Sequence, residues 1–250
     1  MIRERFIIGQ NLDSEMKVYR YISLKQFMHF IENNKTYLTR ISSWDDTWEA
    51  PIMKLPTLHE NGRLSKPEYS SGMDLFAQCW TSKEESDAMW RIYSTGKDGI
   101  KIGTTIKKFE LLEGTNRYAV DEIFYYKNLI EGINYCNENS SISRTLRDGL
   151  IKREEFSHEQ EIRLITLNAP NTVEKLLKDE ENYLELNLDA KEFIEEIIID
   201  PRAEEYYVET IKKYCERAEI KVIPKKSDLY DDDPFIKTQL VGKWIPVKDE

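Results

Sequence analysis

Apolar residues in this chain fall into short, strand-length runs separated by polar stretches with helical spacing, and this interleaving limits the fold more than any other feature. VYRYI at Val18, LFAQCWTS from Leu75 to Ser82, GIKIGTT at Gly99, YAVDEIFY at Tyr118 and EIRLITL at Glu161 are rich in β-branched and aromatic residues and read as strands. Helices are expected between them. Ser23 is placed to cap LKQFMHFIENN, after which KTYLTRI returns to an extended pattern, so residues 17–39 read as strand, helix, strand. KEESDAMWRIY brings Met89, Trp90 and Tyr93 near one helical face, and a further helix runs from Ser141, with Ser141 or Ser143 as its cap. Near the C-terminal end, EEIIID up to Asp200, the helical spacing from Ala203 to Ala218 and IKVIP from Ile220 form a β-α-β pattern, with Pro201 near the first helical turn. The Pro, Gly and His scattered from Pro56 to Gly72 mark a polar loop. The predicted class is α+β. One domain over residues 1–250 is expected, with a mixed, split β-sheet flanked by helices, the C-terminal β-α-β unit, and a tail, residues 225–250, that packs on it or extends from it.

Composition narrows the function classes. The 36 Lys and Arg against 46 Asp and Glu give a net charge of −10, which argues against a nucleic-acid electrostatic footprint. With 40% hydrophobic residues, disorder by composition is excluded. No uninterrupted apolar run approaches the roughly 18 residues of a membrane helix. MIRERFIIGQ carries charge on both sides of its short apolar stretch, so no membrane partner and no export are expected. Cys79, Cys136 and Cys215 are widely spaced and form no CxxC, which suggests neither a disulfide framework nor a thiolate zinc site and fits a reducing cytoplasm. The phosphate loop, the GxGxxG turn, the GxSxG elbow and the HExxH helix are all absent. With only three histidines no histidine-rich metal centre is expected, and His29, among Phe27, Phe30 and Ile31, reads as structural.

Four clusters carry candidate chemistry. Strand alternation would send Glu159, Glu161 and Arg163 to one face. That face is either a solvated ion-pair surface or a carboxylate that Arg163 holds ionised against a developing positive charge. In Cys79-Trp80-Thr81-Ser82 the hydroxyls sit at a strand end, where they can orient a ligand, although Ser82 with Glu85 three residues on also fits a capping box. Trp80 and Trp90 are read first as core. In Tyr19-Arg20-Tyr21, Arg20 faces away from the two tyrosines and must be paired, exposed or bound to an anion. Asp45, Asp46 and Glu49, between Trp44 and Trp48, offer carboxylates to a hard cation or cap a loop.

YRYIS at Tyr19, ISSWDDTWEAP at Ile41, FAQCWTSKEESDAMWRIY at Phe76, GIKIGTT at Gly99, FSHEQEIRLI at Phe156 and EEIIIDP at Glu195 together resemble the prokaryotic family known as domain of unknown function 2971. The sequence departs from that pattern at Asp45-Asp46-Thr47, where the family often has Asn-Asp-Pro, and at Arg91-Ile92-Tyr93, where His-Tyr is common. The order of an early Arg, a hydroxyl-bearing strand and a late E-x-E also looks like the Arg, Ser/Thr, Glu layout of ADP-ribosyltransferase folds. That likeness implies NAD as a substrate. Arg20 would hold its phosphates, Thr81 or Ser82 would orient the nicotinamide ribose, Glu161 would serve as catalytic carboxylate and Glu159 would activate an acceptor. Tyr21, Trp80, Trp90, Tyr93 and the Asp45 to Glu49 loop would flank the pocket, with Arg163 behind Glu161 and no metal required.

Three functions are carried forward. The first is an intracellular ADP-ribosyltransferase or NAD hydrolase, acting as a toxin or phage-defence effector on a protein or nucleic-acid acceptor. The second is a metal-dependent nuclease or phosphoesterase using Asp45, Asp46, Glu49, Glu159 and Glu161. The third is a non-catalytic ligand- or partner-binding module. Edge strands in such sheets often pair with another copy, so a homodimer is an expected assembly.

Overall fold

A computed structural model describes residues 6–46, 48–65, 74–113, 117–168 and 182–231. The first half contains β1 (Phe6–Ile8), β2 (Lys17–Ile22), α1 (Leu24–Asn33), β3 (Lys35–Arg40), the small hairpin of β4 (Thr57–Leu58) and β5 (Leu64–Ser65), β6 (Asp74–Thr81), α2 (Asp87–Tyr93) and β7 (Ile100–Thr105). The second half contains β8 (Tyr118–Glu122), β9 (Phe124–Tyr126), α3 (Leu129–Asn137), α4 (Arg144–Asp148), β10 (Ile151–Arg153), β11 (Glu161–Asn168), β12 (Tyr183–Asn187), α5 (Ala190–Phe193), β13 (Glu196–Ile199), α6 (Glu205–Arg217) and β14 (Lys225–Lys226).

The fold is mixed α+β, around one open sheet with the strand order β1-β8-β11-β6-β2-β7-β13-β14, to which β3 and β12 are added beside β6. β1 runs parallel to β8 and β13 parallel to β14, while the central neighbours are antiparallel. β9 and β10 form a separate parallel pair. Alternation assigns the two faces as period 2 requires. Val18, Ile22, Phe76, Trp80, Ile100, Ile102, Ile162 and Leu164 pack under Phe27 and Phe30 of α1 and Val208 and Ile211 of α6. Leu75, Ala77, Ala119 and Ile165 meet Ile41, Ile142 and Leu150 on the other side.

The sheet is split at its centre. β2 touches β6 at a single register pair, Tyr19 opposite Thr81, and the same edge of β6 is taken up by β3 at Ala77 and Phe76. Gln78, Cys79 and Trp80 therefore face a gap where β2 and β3 diverge. Gln78, which is buried, spans that gap: its amide nitrogen donates to Thr36 Oγ1 and to the Tyr37 carbonyl, each at 2.8 Å, and its oxygen accepts the Trp80 indole N–H at 2.9 Å. Gln78→Ala removes all three bonds and leaves the buried indole N–H unpaired. A loss of about 2–3 kcal/mol is expected, read as a fall of about 5–10 °C in Tm; an unchanged melt would mean that the bridge does not hold β3 to β6.

The expected strand-helix-strand over residues 17–39 is present, with Ser23 and Gln26 forming a reciprocal capping box at the start of α1. Other expectations are corrected. Ser86, not Ser82, caps α2, because its hydroxyl accepts from Met89 N–H. For α4, where Ser141 or Ser143 is expected as the cap, the cap is Ser143. Pro201 lies in a turn before α6, whose N-cap is Glu204, and the returning strand after α6 is Lys225–Lys226, not the run from Ile220. YAVDEIFY divides into β8 and β9, since Ile123 N–H donates to the Glu161 carbonyl and turns the chain toward β10. Elements additional to those read from sequence include the edge strands β1 and β12, the short strand β10, the asparagine-capped helix α3 and the short helix α5. Of the polar loop from Pro56 to Gly72, the described part contains the β4–β5 hairpin, and residues 66–73 lie outside the described residues. Of the tail over residues 225–250, only 225–231 are described, and they place β14 beside β13. No described helix is long and apolar enough to cross a membrane.

Candidate functional site

The chemistry-bearing side chains gather on the face of β11 and β6 that looks toward the Trp44 to Glu49 loop. Glu161 and Arg163 are two apart on β11 and share that face, so the Arg163 Nε donates to Glu161 Oε1 at 2.7 Å. Arg163 is fully enclosed. Its Nη1 donates to Glu49 Oε2 at 2.9 Å and to the Gly149 carbonyl at 2.7 Å, and the guanidinium carbon stands 4.7 Å from the Trp44 ring centroid. Gly149 is packed against the core beside this contact, where a Cβ would stand 2.5 Å from Ile165 Cδ1. Lys152, from the three-residue strand β10, brings its ammonium to 2.6 Å from Glu159, 3.1 Å from Glu161 and 3.6 Å from Glu49.

Glu159 differs from its expected placement. It ends a 3₁₀ turn over Glu154–Glu159 and is not part of the strand, and Gln160, in the left-handed region at φ 44°, swings it back toward Lys152. The three carboxylates and two cations thus form one buried network. Burial opposes ionisation of Glu161, but Arg163 and Lys152, with hydrogen bonds from Arg163 and the Cys79 thiol, outweigh it and pull its carboxyl down to about 2. Burial also works against the Lys152 ammonium, and the three glutamates overcome it and hold the lysine firmly protonated.

Thr81 sits opposite Glu161 on β6, and Tyr19 sits opposite Thr81 on β2, so the strands that carry Arg20, Thr81 and Glu161 are adjacent. The Thr81 hydroxyl is committed internally: it donates to the Glu159 carbonyl at 2.6 Å and accepts from Lys83 N–H. It fixes the turn before β11 and is not among the walls of the cavity at the sheet split. Ser82 donates to the Gln160 carbonyl at 3.3 Å. Trp90 is fully buried, with its indole on Glu85 and the Tyr21 ring edge-on at 4.7 Å, and it belongs to the core and not to a ligand wall.

A cavity of about 230 Å³ opens at the split, and Arg20, Tyr21, Cys79, Tyr93, Glu159 and Glu161 are among its walls. A second cavity of about 740 Å³ adjoins it and shares Arg20, Gln26, Thr39 and Trp80 with it. Arg20 is half-buried and has no carboxylate partner among the described residues. Burial lowers its guanidinium to about 10, with only Cys79 and Tyr93 acting against that. It remains charged at neutral pH.

The Trp44 to Glu49 loop does not gather its carboxylates. Asp45 is exposed, Asp46 pairs with Arg153 at 3.1 Å while accepting the Trp48 N–H, and Glu49 is buried on Arg163. Among the described residues no group of three or more His, Cys, Asp and Glu side chains is arranged to hold a metal ion. Where Glu49, Glu159 and Glu161 do converge, the Lys152 ammonium occupies the position a cation would take. Sequence reading passed over Lys152, since one lysine after Leu150-Ile151 has the pattern of any solvent-facing residue on a short strand.

Residues 89–164 match the model of a family described as protein of unknown function (DUF2971). The matched segment runs from within α2 into β11 and contains Tyr93, Lys152, Glu159, Glu161 and Arg163, while Arg20, Thr81 and Glu49 lie before it. No curated protein matches the chain.

Proposed function

We propose that the chain uses NAD in an ADP-ribosyltransferase-like reaction, with the cavity at the sheet split as its site. The observation that carries this reading is that Arg20, which lacks a carboxylate partner among the described residues, lines the same cavity as Glu159 and Glu161, whose carboxyl Arg163 and Lys152 hold ionised at neutral pH. An anionic diphosphate is what such an arginine can take, and a fixed carboxylate is what a glycosidic cleavage needs. In the reaction the ribose C1′–nicotinamide nitrogen bond breaks, nicotinamide leaves with the bonding pair, and Glu161 stabilises the oxocarbenium-like charge on the ribose. Glu159 takes the proton of the attacking water or acceptor hydroxyl as the new C1′–O bond forms. Thr81 acts as a positioning residue, because its hydroxyl holds the Glu159 carbonyl.

A second reading, a binding module without turnover, is favoured by one feature: Glu161 is only 3% exposed and its carboxylate is ion-paired to both Lys152 and Arg163, which suits a network that only knits the sheet. Nicotinamide release separates the two. Wild type is expected to turn over NAD while Glu161→Gln loses about 100-fold or more of the rate with both proteins folded by thermal melt. Equal release by both, or none from folded wild type, would overturn the reading. Following labelled ADP-ribose to water, protein or nucleic acid then identifies the acceptor.

A further inference from the structure

We infer that the larger cavity is a binding site for a phosphorylated ligand that carries an aromatic ring, of the nucleoside-phosphate class, held by Arg20 and Lys25. The cavity, about 740 Å³, lies between α1 and strands β2, β3 and β12 and has the size of a small-molecule site. Its ionisable wall residues are Arg20, Lys25, His29 and Lys35, with tyrosines and without any Asp or Glu, in a chain whose net charge is −10. Two of those four are already engaged. Lys35 pairs with Glu185, and His29 shares a 2.7 Å hydrogen bond with the Tyr37 hydroxyl. Arg20 and Lys25 have no carboxylate partner among the described residues.

Lys25 stands in the first turn of α1, which contains no acidic residue, so the positive end of the ten-residue helix adds to the same charge. The rest of the cavity is not suited to a bare anion. Phe30, Phe193, Trp80 and Ile102 make an apolar floor, and Tyr37 and Tyr183 meet edge-on at 5.6 Å on the β3–β12 side. An apolar floor with aromatic walls takes a flat ring, and the two cations take phosphate. The sheet split joins this cavity to the smaller one through Arg20.

The inference shares Arg20 with the NAD reading, but it places the ligand against Lys25 and Tyr183 of the larger cavity and requires no turnover. ADP has no nicotinamide bond to break, so its binding and nicotinamide release succeed or fail separately. Calorimetric titration of the full chain with ADP, GDP, UDP, their nucleosides and inorganic phosphate tests it, using wild type, Lys25→Glu and Tyr183→Ala. Both replaced side chains are exposed, and melts confirm folding. At least one nucleoside diphosphate is expected to bind with Kd below about 1 mM and about tenfold tighter than its nucleoside. Lys25→Glu should weaken it by about tenfold and Tyr183→Ala by about threefold. No binding by any of the three nucleotides, equal binding of nucleoside or inorganic phosphate, or an unchanged Kd in Lys25→Glu would overturn the inference.

Discussion

Replacing Arg163 by methionine is expected to cost about 3–5 kcal/mol of folding stability, the largest effect of any single substitution at the site. Methionine fills much of the volume and keeps contact with Trp44, but it removes the charge-assisted bonds to Glu161 and Glu49 and leaves the Gly149 carbonyl without its donor. Two carboxylates, each only 2–3% exposed, would then depend on Lys152 alone. An unpaired buried charge is costly because the protein interior solvates it poorly, so the damage exceeds the net worth of the original pairs. Urea denaturation at neutral pH measures it. The triple variant Arg163→Met, Glu161→Gln, Glu49→Gln should regain part of the loss, because the orphaned charges are gone. A single variant within about 1 kcal/mol of wild type would show that the network is solvated in the native protein.

Acid should remove a comparable amount. The Glu161 carboxyl, near 4.5 when unperturbed, is held at about 2 in the folded chain by Arg163 and Lys152 against the opposing effect of burial. Its folded value is depressed, so its stabilisation is complete above about pH 5 and is lost as pH falls from 4.5 toward about 2. That interval corresponds to about 3 kcal/mol. Asp148 runs the other way. Burial raises its carboxyl to about 6 although it accepts the Ile52 and Met53 N–H groups, so its contribution weakens as pH rises from 3.8 through about 6. The two are separated by comparing urea midpoints of wild type and Glu161→Gln from pH 7 to pH 3. Below pH 4.5 the wild type should lose up to about 1.4 kcal/mol per pH unit more than the variant. Parallel curves would mean that Glu161 is not held ionised by its neighbours.

Much of the site was legible one strand at a time. Alternation places Glu161 and Arg163 on one face of β11, and Arg20 on the face of β2 opposite Tyr19 and Tyr21. What failed was local inference about ends and turns. Ser82 carried the capping-box spacing, yet Ser86 caps α2, because Ser82 is drawn to the Gln160 carbonyl across the sheet. Glu159 was counted in the strand, but one left-handed residue, Gln160, ended the ladder and still returned the carboxylate to the cluster. Thr81 has the right residue type for orienting a ligand, and a tertiary hydrogen bond 78 residues along the chain spends its hydroxyl on the backbone.

The sequence by itself determined the elements and their faces, because hydrophobic period and capping chemistry act over a few residues: the α+β class, α1 between β2 and β3, the central strands and the E-x-E-x-R pattern all follow from it. Only the tertiary structure decided the rest. Which strands neighbour one another depends on packing over the whole chain, and it is the single β2–β6 register pair, with β3 taking the remaining edge, that opens the split and its cavities. The same long-range packing sets Lys152 among Glu49, Glu159 and Glu161, a convergence from three separate segments that no local period encodes.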